Sequence, residues 1–204
     1  MQLPKVPLLW PSNATPINEV AAIKNLHAHL WGLYYSVEAW QAGLILFETA
    51  KNPPASVSRS IASRWRWIAC NECVLELYHL RCRLEKIQSV QLRECPSVRT
   101  LVDVATLRAV RKRLDEYFPE IEDLRHATAH RGENEAHPEE HAPDGQYALT
   151  RLHEQDKYCA PYRGRLCTLD ISSKSLQRIS DVVSEFLQAF NVAAAALEHQ
   201  GHLE

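Results

Sequence analysis

The sequence predicts a mainly α-helical protein: a helical bundle with two long N-terminal helices, a short helix that carries a motif, a small β-hairpin and a C-terminal helix. Three observations support this prediction. Apolar residues recur at steps of three and four along most of the chain. Leu, Ala, Glu and Arg are abundant, and only six glycines occur in 204 residues. Prolines stand where those periodic segments stop, which is typical of helix boundaries.

The first 18 residues differ from the rest. Pro4, Pro7, Pro11 and Pro16 are too closely spaced for a regular helix. We therefore expect residues 1–18 to form an extended arm, laid either on the body of the protein or on a partner. Residues 19–204 are expected to form one helical domain, because the chain is long enough for a full core, and two small domains are the alternative.

Two long helices are expected next, at about Glu19–Ala50 and Ser56–Val90, separated by Pro53 and Pro54. Each has one apolar stripe that should face the core. In the first helix the stripe is Ile23, Leu26, Leu30, Tyr34, Val37, Trp40, Leu44 and Phe47. In the second it is Ile61, Trp65, Ile68, Leu75, Tyr78 and Cys82.

The second half of the chain alternates shorter elements. A helix is expected at about Val98–Tyr117 with Leu101 turned inward, and Pro119 suits the first residue of another helix that Gly132 can terminate. The polar residues 131–145 indicate a loop. Strands are expected at Tyr147–Leu152, Lys157–Ala160 and Arg165–Ile171. A last amphipathic helix begins at Ser172 or Ser173 and extends to Leu197.

Composition narrows the possible partners. The formal net charge is −2, so contact with nucleic acid requires a local basic surface. Residues 59–113 contain 12 Lys or Arg and five Asp or Glu, which allows such a surface, although a solvated helix face is the alternative.

We expect a cytoplasmic protein without a membrane span. The N-terminus lacks a signal-peptide pattern, and the apolar run Trp31–Phe47 includes Glu38, Ser36 and Gln41.

Among the six cysteines, the spacing allows two special roles, a zinc site and a disulfide. Cys70 and Cys73 have zinc-ligand spacing, with His79 and Cys82 as further ligands, but one straight helix cannot wrap four side chains around an ion. Cys159 and Cys167 flank a hairpin turn and could approach each other. In a reducing cytosol free thiols are the expectation for all six. We predict no metal and no cofactor.

The best candidate for a catalytic or binding segment is Arg125-His126-Ala127-Thr128-Ala129-His130. On a helix, Arg125 and His130 lie ~140° apart around the axis and ~7.5 Å apart along it, so they flank one groove. His126 and His130, four residues apart, share a face. The residues between them are small, which allows a substrate or a neighbouring backbone to approach closely.

These residue types suit cleavage of a phosphodiester in RNA. Arginine offers a planar, permanently charged fork to a phosphate. Histidine can remove the proton of a ribose 2′-hydroxyl or protonate the leaving oxygen. Because the nucleophile belongs to the substrate, such a reaction needs no metal. The 2′-hydroxyl also distinguishes RNA from DNA.

This segment, in a predicted helical bundle with a late hairpin and an amphipathic last helix, resembles the HEPN family (higher eukaryotes and prokaryotes nucleotide-binding). Arg125-His126-x-x-x-His130 matches the Arg-x4-6-His signature, with a polar residue directly after the arginine. The likeness extends loosely over residues 19–198 and is nearest to the abortive-infection type of bacterial defence.

The resemblance implies a metal-independent endoribonuclease that leaves 2′,3′-cyclic phosphate ends, in a toxin–antitoxin or phage-defence setting. It implies a homodimer in which two motif helices face each other, and a possible antitoxin partner. Arg125 would hold the phosphate, His130 would be the acid or base, and His126 would orient or polarise. We also assign substrate contacts to Thr128 and Arg131.

Three alternatives stay open for the segment. It could belong to a non-catalytic HEPN-like module that binds RNA or a nucleotide, or that serves in assembly. It could be a structural helix. His126 and His130 also have the spacing of two zinc ligands, with His137, Glu139, Glu140 and His141 nearby, but Ala127 stands where a His-Glu-x-x-His hydrolase needs glutamate.

Overall fold

In the computed structural model, residues 3–13, 15–129 and 156–201 are described. This part of the chain is mainly helical and has one antiparallel hairpin, which confirms the predicted fold class. The first half contains α1 (Val20–Lys51), α2 (Arg59–Lys86), a π-helical segment (Ile87–Gln91), α3 (Leu92–Glu94) and α4 (Pro96–Arg99). The rest contains α5 (Val104–Tyr117), α6 (Ile121–Ala129), β1 (Lys157–Tyr162), β2 (Arg165–Asp170), α7 (Ser173–Gln188) and α8 (Asn191–Gly201).

The chain divides into two compact units, and each long helix contributes one part to each of them. Unit 1 comprises Met1–Glu38, His79–Tyr117 and Gln177–Glu204. Unit 2 comprises Ala39–Tyr78 and Phe118–Leu176. The motif helix α6 and the hairpin both belong to unit 2.

In unit 1, the N-terminal segment has no regular secondary structure and is fixed to α1. Leu9 is fully buried, and its backbone N–H donates to Nδ1 of His27 at 3.3 Å. Farther along, the buried carboxylate of Glu19 accepts hydrogen bonds from the backbone N–H and the hydroxyl of Ser97. Buried apolar side chains of this unit include Ile23, Leu26, Leu30, Leu33, Leu80, Leu84, Leu107, Val110, Leu114, Val183, Phe186 and Phe190.

In unit 2, α1 and α2 approach closely where their side chains are small. A Cβ added to Gly43 would lie 2.7 Å from Sγ of Cys73, which is nearer than real Cβ contacts. The thiol of Cys73 donates to the carbonyl of Trp40 at 3.8 Å. Ala69 and Cys70 are also fully buried on α2. Small residues therefore set the separation of these helices.

The predicted apolar stripe of α2 was wrong. Ile61 and Ile68 are exposed by 47% and 56%, and Trp65 is only half-buried. The buried residues are instead Ala62, Ala69, Cys70, Cys73, Val74, Leu77, Leu80 and Leu84. Alanine and cysteine are weak hydrophobic signals in a sequence, but here close packing against α1 selects them over larger side chains.

Two predicted helices are interrupted. The helix expected at Val98–Tyr117 is broken before α5, because Asp103 accepts hydrogen bonds from the N–H groups of Ala105 and Thr106 and so caps a new helix. Leu101, expected inside, is 39% exposed. The last helix is broken after α7, where the N–H of Phe190 donates to the carbonyl of Leu187 in a tight turn.

Other expectations were confirmed or stay predictions. The N–H of Ser175 donates to the hydroxyl of Ser172, which caps α7 as predicted. All six cysteines are free thiols, so Cys159 and Cys167 form no disulfide. No described helix is long and apolar enough to cross a membrane. The predicted loop 131–145, Gly132 and strand Tyr147–Leu152 lie outside the described residues.

Candidate active site

The hairpin holds the first half of α6. Antiparallel pairing joins Tyr162 to Arg165, so a two-residue turn connects β1 and β2. The carboxylate of Glu120, just before α6, accepts a hydrogen bond from the N–H of Thr168 at 2.8 Å. One turn later, Asp123 forms an ion pair with Arg165. These two contacts fix where α6 lies against β2.

The second half of α6 is held by two tyrosines of β1. Tyr158 and Tyr162 are four residues apart, so they project from the same face of the strand. The imidazole of His126 stacks on the ring of Tyr162, with a centroid distance of 5.7 Å and an interplanar angle of 9°. The hydroxyls of Thr128 and Tyr158 are 3.2 Å apart. Both tyrosines are buried, so the motif helix is attached along its whole length.

Arg125 lies between an aromatic ring and the neighbouring imidazole. Its Cζ is 5.2 Å from the ring centroid of Tyr78 on α2, which is a cation–π contact. Its Nη1 is 3.4 Å from Nδ1 of His126. Because a guanidinium nitrogen can only donate, Nδ1 of His126 is the acceptor, and neutral His126 then has its proton on Nε2.

The charge of Arg125 is not neutralised by an acid in the described part of unit 2. Arg125 contacts Tyr78 and His126 there, and neither is a carboxylate. Asp123, two residues before Arg125 on α6, is paired with Arg165. A half-buried guanidinium with a π face and an imidazole as neighbours keeps its charge for an anion.

The structure brings together only part of the predicted site. Arg125, His126 and Thr128 are described, all three are half-buried, and Arg125 contacts His126 directly. The Thr128 hydroxyl is engaged by Tyr158, and its contact with a substrate stays a prediction. His130 and Arg131 lie outside the described residues, so their roles stay predictions too.

Three residues that position the site were missed in the sequence: Tyr78, Tyr158 and Tyr162. A partial signal exists in β1, because alternation places Tyr158 and Tyr162 on one face. Nothing local connects Tyr78 with Arg125, since these residues are distant along the chain. Such partners emerge only when the hairpin and α2 are placed around α6.

Three thiols of unit 2 have raised pKa values, which makes them poor nucleophiles. Burial raises the pKa of Cys70 to about 12 and that of Cys167 to about 11. Burial also raises the pKa of Cys73, and a nearby Cys70 adds to the effect. Cys70 and Cys73 are buried core residues rather than reactive groups, and Cys73 packs against Trp40 and Gly43 of α1.

No three His, Cys, Asp or Glu side chains come together as a metal-binding group within residues 3–13, 15–129 and 156–201. His79 is exposed and Cys82 half-buried, whereas Cys70 and Cys73 are in the core, so these four do not share one environment. The other metal interpretation requires His130 and residues 137–141, which are not described.

A groove of about 940 Å³ lies elsewhere, in unit 1, between the N-terminal segment and α8. Its walls are mostly apolar or uncharged and include Pro7, Trp10, Asn191 and Ala194. Lys5 and Glu198 are its charged residues. Among its described lining residues there is no histidine or cysteine, so α6 is a better candidate for acid–base chemistry.

No model of a protein family, no curated protein and no solved structure matches this chain. What the site does is therefore inferred from its own residues.

Proposed function

We propose that this protein is a metal-independent endoribonuclease of HEPN type that acts at α6. The observation that carries the proposal is the adjacent pair of Arg125 and His126, whose Nη1 and Nδ1 atoms are 3.4 Å apart on a helix held by the hairpin. With His130 completing the motif, one segment offers a fixed cation and two imidazoles. This is the set of groups that phosphodiester transfer within RNA requires.

The reaction is a transfer within the substrate. The ribose 2′-oxygen attacks the adjacent phosphorus, and its proton passes to an imidazole. The bond from phosphorus to the 5′-oxygen of the next nucleotide breaks, and that oxygen receives a proton. The products are a 2′,3′-cyclic phosphate and a free 5′-hydroxyl. We assign phosphate binding to Arg125, proton transfer to His130, and orientation or polarisation to His126.

Preorganisation supports this assignment. The contacts of Glu120, Asp123, His126 and Thr128 with the hairpin hold α6 before any substrate binds. Groups that are already in place cost little reorganisation in the transition state, and this is a major part of electrostatic catalysis. The π face of Tyr78 orients Arg125 without removing its charge.

The second candidate is a HEPN-like module that binds RNA or a nucleotide without turnover. One observation favours it: the imidazole of His126 is stacked flat on Tyr162, and Arg125 is packed on Tyr78. Side chains held in this way suit recognition of a phosphate as well as they suit catalysis. Binding without cleavage is the result that distinguishes this candidate.

The biological setting follows from the resemblance. We propose a toxin–antitoxin or abortive-infection role in the cytoplasm, with a homodimer as the active form and an antitoxin as a possible partner. A dimer would double a small site and place two Arg/His pairs around one RNA strand. Sedimentation at micromolar concentration that shows only monomer would contradict this part.

The test is cleavage of a single-stranded RNA by the full chain with excess chelator. We expect cleavage, 2′,3′-cyclic phosphate and 5′-hydroxyl ends, and no cleavage of the same oligonucleotide with 2′-O-methyl groups. Loss of activity with chelator would favour the metal site at His126 and His130. Binding of RNA at low salt without cleavage would favour the binding module.

A further inference from the structure

The hairpin turn of unit 2 contains an arginine where the backbone favours other residues. Arg163 has φ of 49° and Gly164 has φ of 70°, so both central residues of the turn are left-handed. Asn or Gly is the usual choice at the first of these positions. Within the described residues, Arg163 is the one non-glycine with positive φ. Residues other than glycine in the left-handed region are strained, and such residues cluster at active sites and ligand-binding clamps.

The side chain of Arg163 is connected to the proposed active site. Its Cζ is 5.1 Å from the ring centroid of Tyr162, and the same ring stacks on His126. His126 in turn contacts Arg125. Two guanidinium groups are thus linked through one buried tyrosine and one imidazole, all in unit 2.

Tyr162 itself is unsuited to stacking on a base, because only 9% of it is exposed. Its ring instead contacts both Arg163 and His126. The other cation of the turn, Arg165, is paired with Asp123 and attaches the hairpin to α6. Arg163 lies at the tip of the turn and is exposed, and its guanidinium contacts the ring that stacks on His126.

We infer that Arg163 is a second phosphate-binding residue of this site. It contacts a phosphate of the RNA strand next to the one assigned to Arg125, so the strand runs from α6 over the hairpin turn. The inference rests on the proposed function, which assigns RNA to α6. It adds a residue from the hairpin to the site on α6. It also predicts that the protein contacts the phosphates of more than one nucleotide of single-stranded RNA.

The chemistry fits a backbone contact. A guanidinium binds phosphate oxygens through two parallel N–H donors, whatever the base. Each phosphate neutralised by a protein cation releases counterions, so the affinity for a single strand falls with salt by a slope of about −0.7 per contact. The number of contacts is therefore measurable without identifying the natural RNA.

The experiment uses the full chain and a fluorescent 2′-O-methyl oligonucleotide, which binds but lacks the attacking hydroxyl. Fluorescence anisotropy gives its dissociation constant over a series of salt concentrations. Arg163→Asn removes the charge and introduces a residue that tolerates positive φ. Arg163→Gly also removes the charge, and glycine adopts positive φ without strain because it has no Cβ. Arg163→Lys keeps the charge. Arg178→Ala is the matched control, because Arg178 lies 4.9 Å over Tyr117 in unit 1.

We expect Arg163→Asn and Arg163→Gly to weaken binding at low salt and to reduce the salt slope by about 0.7. Arg163→Lys should keep the slope, and Arg178→Ala should behave like the unchanged protein. Circular dichroism checks that each variant is folded. An unchanged slope in both Arg163→Asn and Arg163→Gly would overturn the inference, and so would no binding by the unchanged protein.

Failure of the proposed function has a different signature. If the unchanged protein binds the oligonucleotide but never cleaves the matching RNA, the proposed nuclease activity is wrong. The salt dependence of the affinity then still tests whether Arg163 contacts a phosphate. If it cleaves RNA and the Arg163 slope is unchanged, the nuclease stands and Arg163 only stabilises the turn.

Discussion

The arginines of the two units have two kinds of partner, a carboxylate or a tyrosine ring. In unit 1, Arg81 pairs with Asp115 at 2.7 Å, and Arg113 pairs with both carboxylate oxygens of Glu185. In unit 2, the guanidinium groups of Arg125 and Arg163 lie over the rings of Tyr78 and Tyr162. Each unit also has an arginine of the opposite kind, Arg178 over Tyr117 in unit 1 and Arg165 with Asp123 in unit 2.

The difference matters because the two kinds of partner do different things to a charge. A carboxylate neutralises the guanidinium and competes with any phosphate, whereas a tyrosine ring orients the guanidinium and leaves its positive charge in place. Arg81 and Arg113 thus stabilise the fold modestly. Arg125, which contacts Tyr78 and His126, is arranged as an anion-binding residue would be.

Large effects on RNA cleavage are expected at the motif, and Arg125 tests the comparison directly. Arg125→Ala should reduce RNA cleavage by ~10²–10³-fold, since it removes a preformed charge stabiliser. Arg113→Ala, which removes a carboxylate-paired arginine of unit 1, should change cleavage little. Arg125→Lys retains charge without the bidentate fork and should stay impaired. Initial rates with a labelled RNA give the comparison, and an Arg125→Ala protein that is fully active would contradict it.

His130→Ala tests the acid–base group of the same motif. Loss of a general acid or base should reduce the rate by ~10²–10⁴-fold. His126→Ala should cost less, because we assign it an orienting role. The Arg125/His130 double variant should be barely worse than either single one, since residues that act together are not additive. Full activity of His130→Ala would remove the mechanism, and its unfolding would indicate a structural helix.

Substitutions at two glycines of α1 compare how tightly the two units are packed. Gly43→Ala in unit 2 would bring a Cβ within 2.7 Å of Sγ of Cys73, so we expect a loss of about 1–3 kcal/mol in the free energy of unfolding. Gly32→Ala in unit 1 meets Cδ and Nε of the flexible Arg83 at 3.4 Å. There a gain of up to about 1 kcal/mol from helix propensity is available. Urea unfolding measures both, and equal effects would contradict the close approach at Gly43.

The attachment of α6 to the hairpin has a smaller effect. Tyr158→Phe removes the hydroxyl that is 3.2 Å from that of Thr128 and fully buried. We expect a loss of about 1 kcal/mol in the free energy of unfolding. Tyr35→Phe is the control in unit 1, because Tyr35 is 56% exposed. A Tyr158→Phe protein as stable as Tyr35→Phe would show that this hydrogen bond does not hold α6.

The smallest effect is a pH dependence of unit 1. Burial is the main cause that lowers the pKa of His27, and burial with Lys86 and Arg83 lowers that of His29. Below pH 6.5, the ordinary pKa of histidine, the unfolded chain binds more protons than the folded one. The free energy of unfolding therefore has its full value above this pH and falls as the pH decreases. His27→Gln should flatten this decline in unfolding experiments, and His199→Gln, at an exposed residue of α8, should not.

Much of the fold follows from the sequence. The stripe from Ile23 to Phe47 is buried as predicted apart from the half-buried Tyr34, because a long helix with one apolar face has only one way to bury it. Ser172 is a cap, and a hairpin occurs around Arg163 and Gly164, because capping and turn chemistry are local. The motif on α6 is equally local.

Tertiary structure decided what depends on residues far apart in the chain. The buried face of α2 is set by Gly43 and Cys73 at a close contact with α1, which exposes Ile61 and Ile68. The partners of Arg125 and His126 are Tyr78 and Tyr162, which no spacing rule connects to the motif. Helical periodicity and turn preferences act over a few residues, whereas packing density and charge environment arise only when distant segments meet.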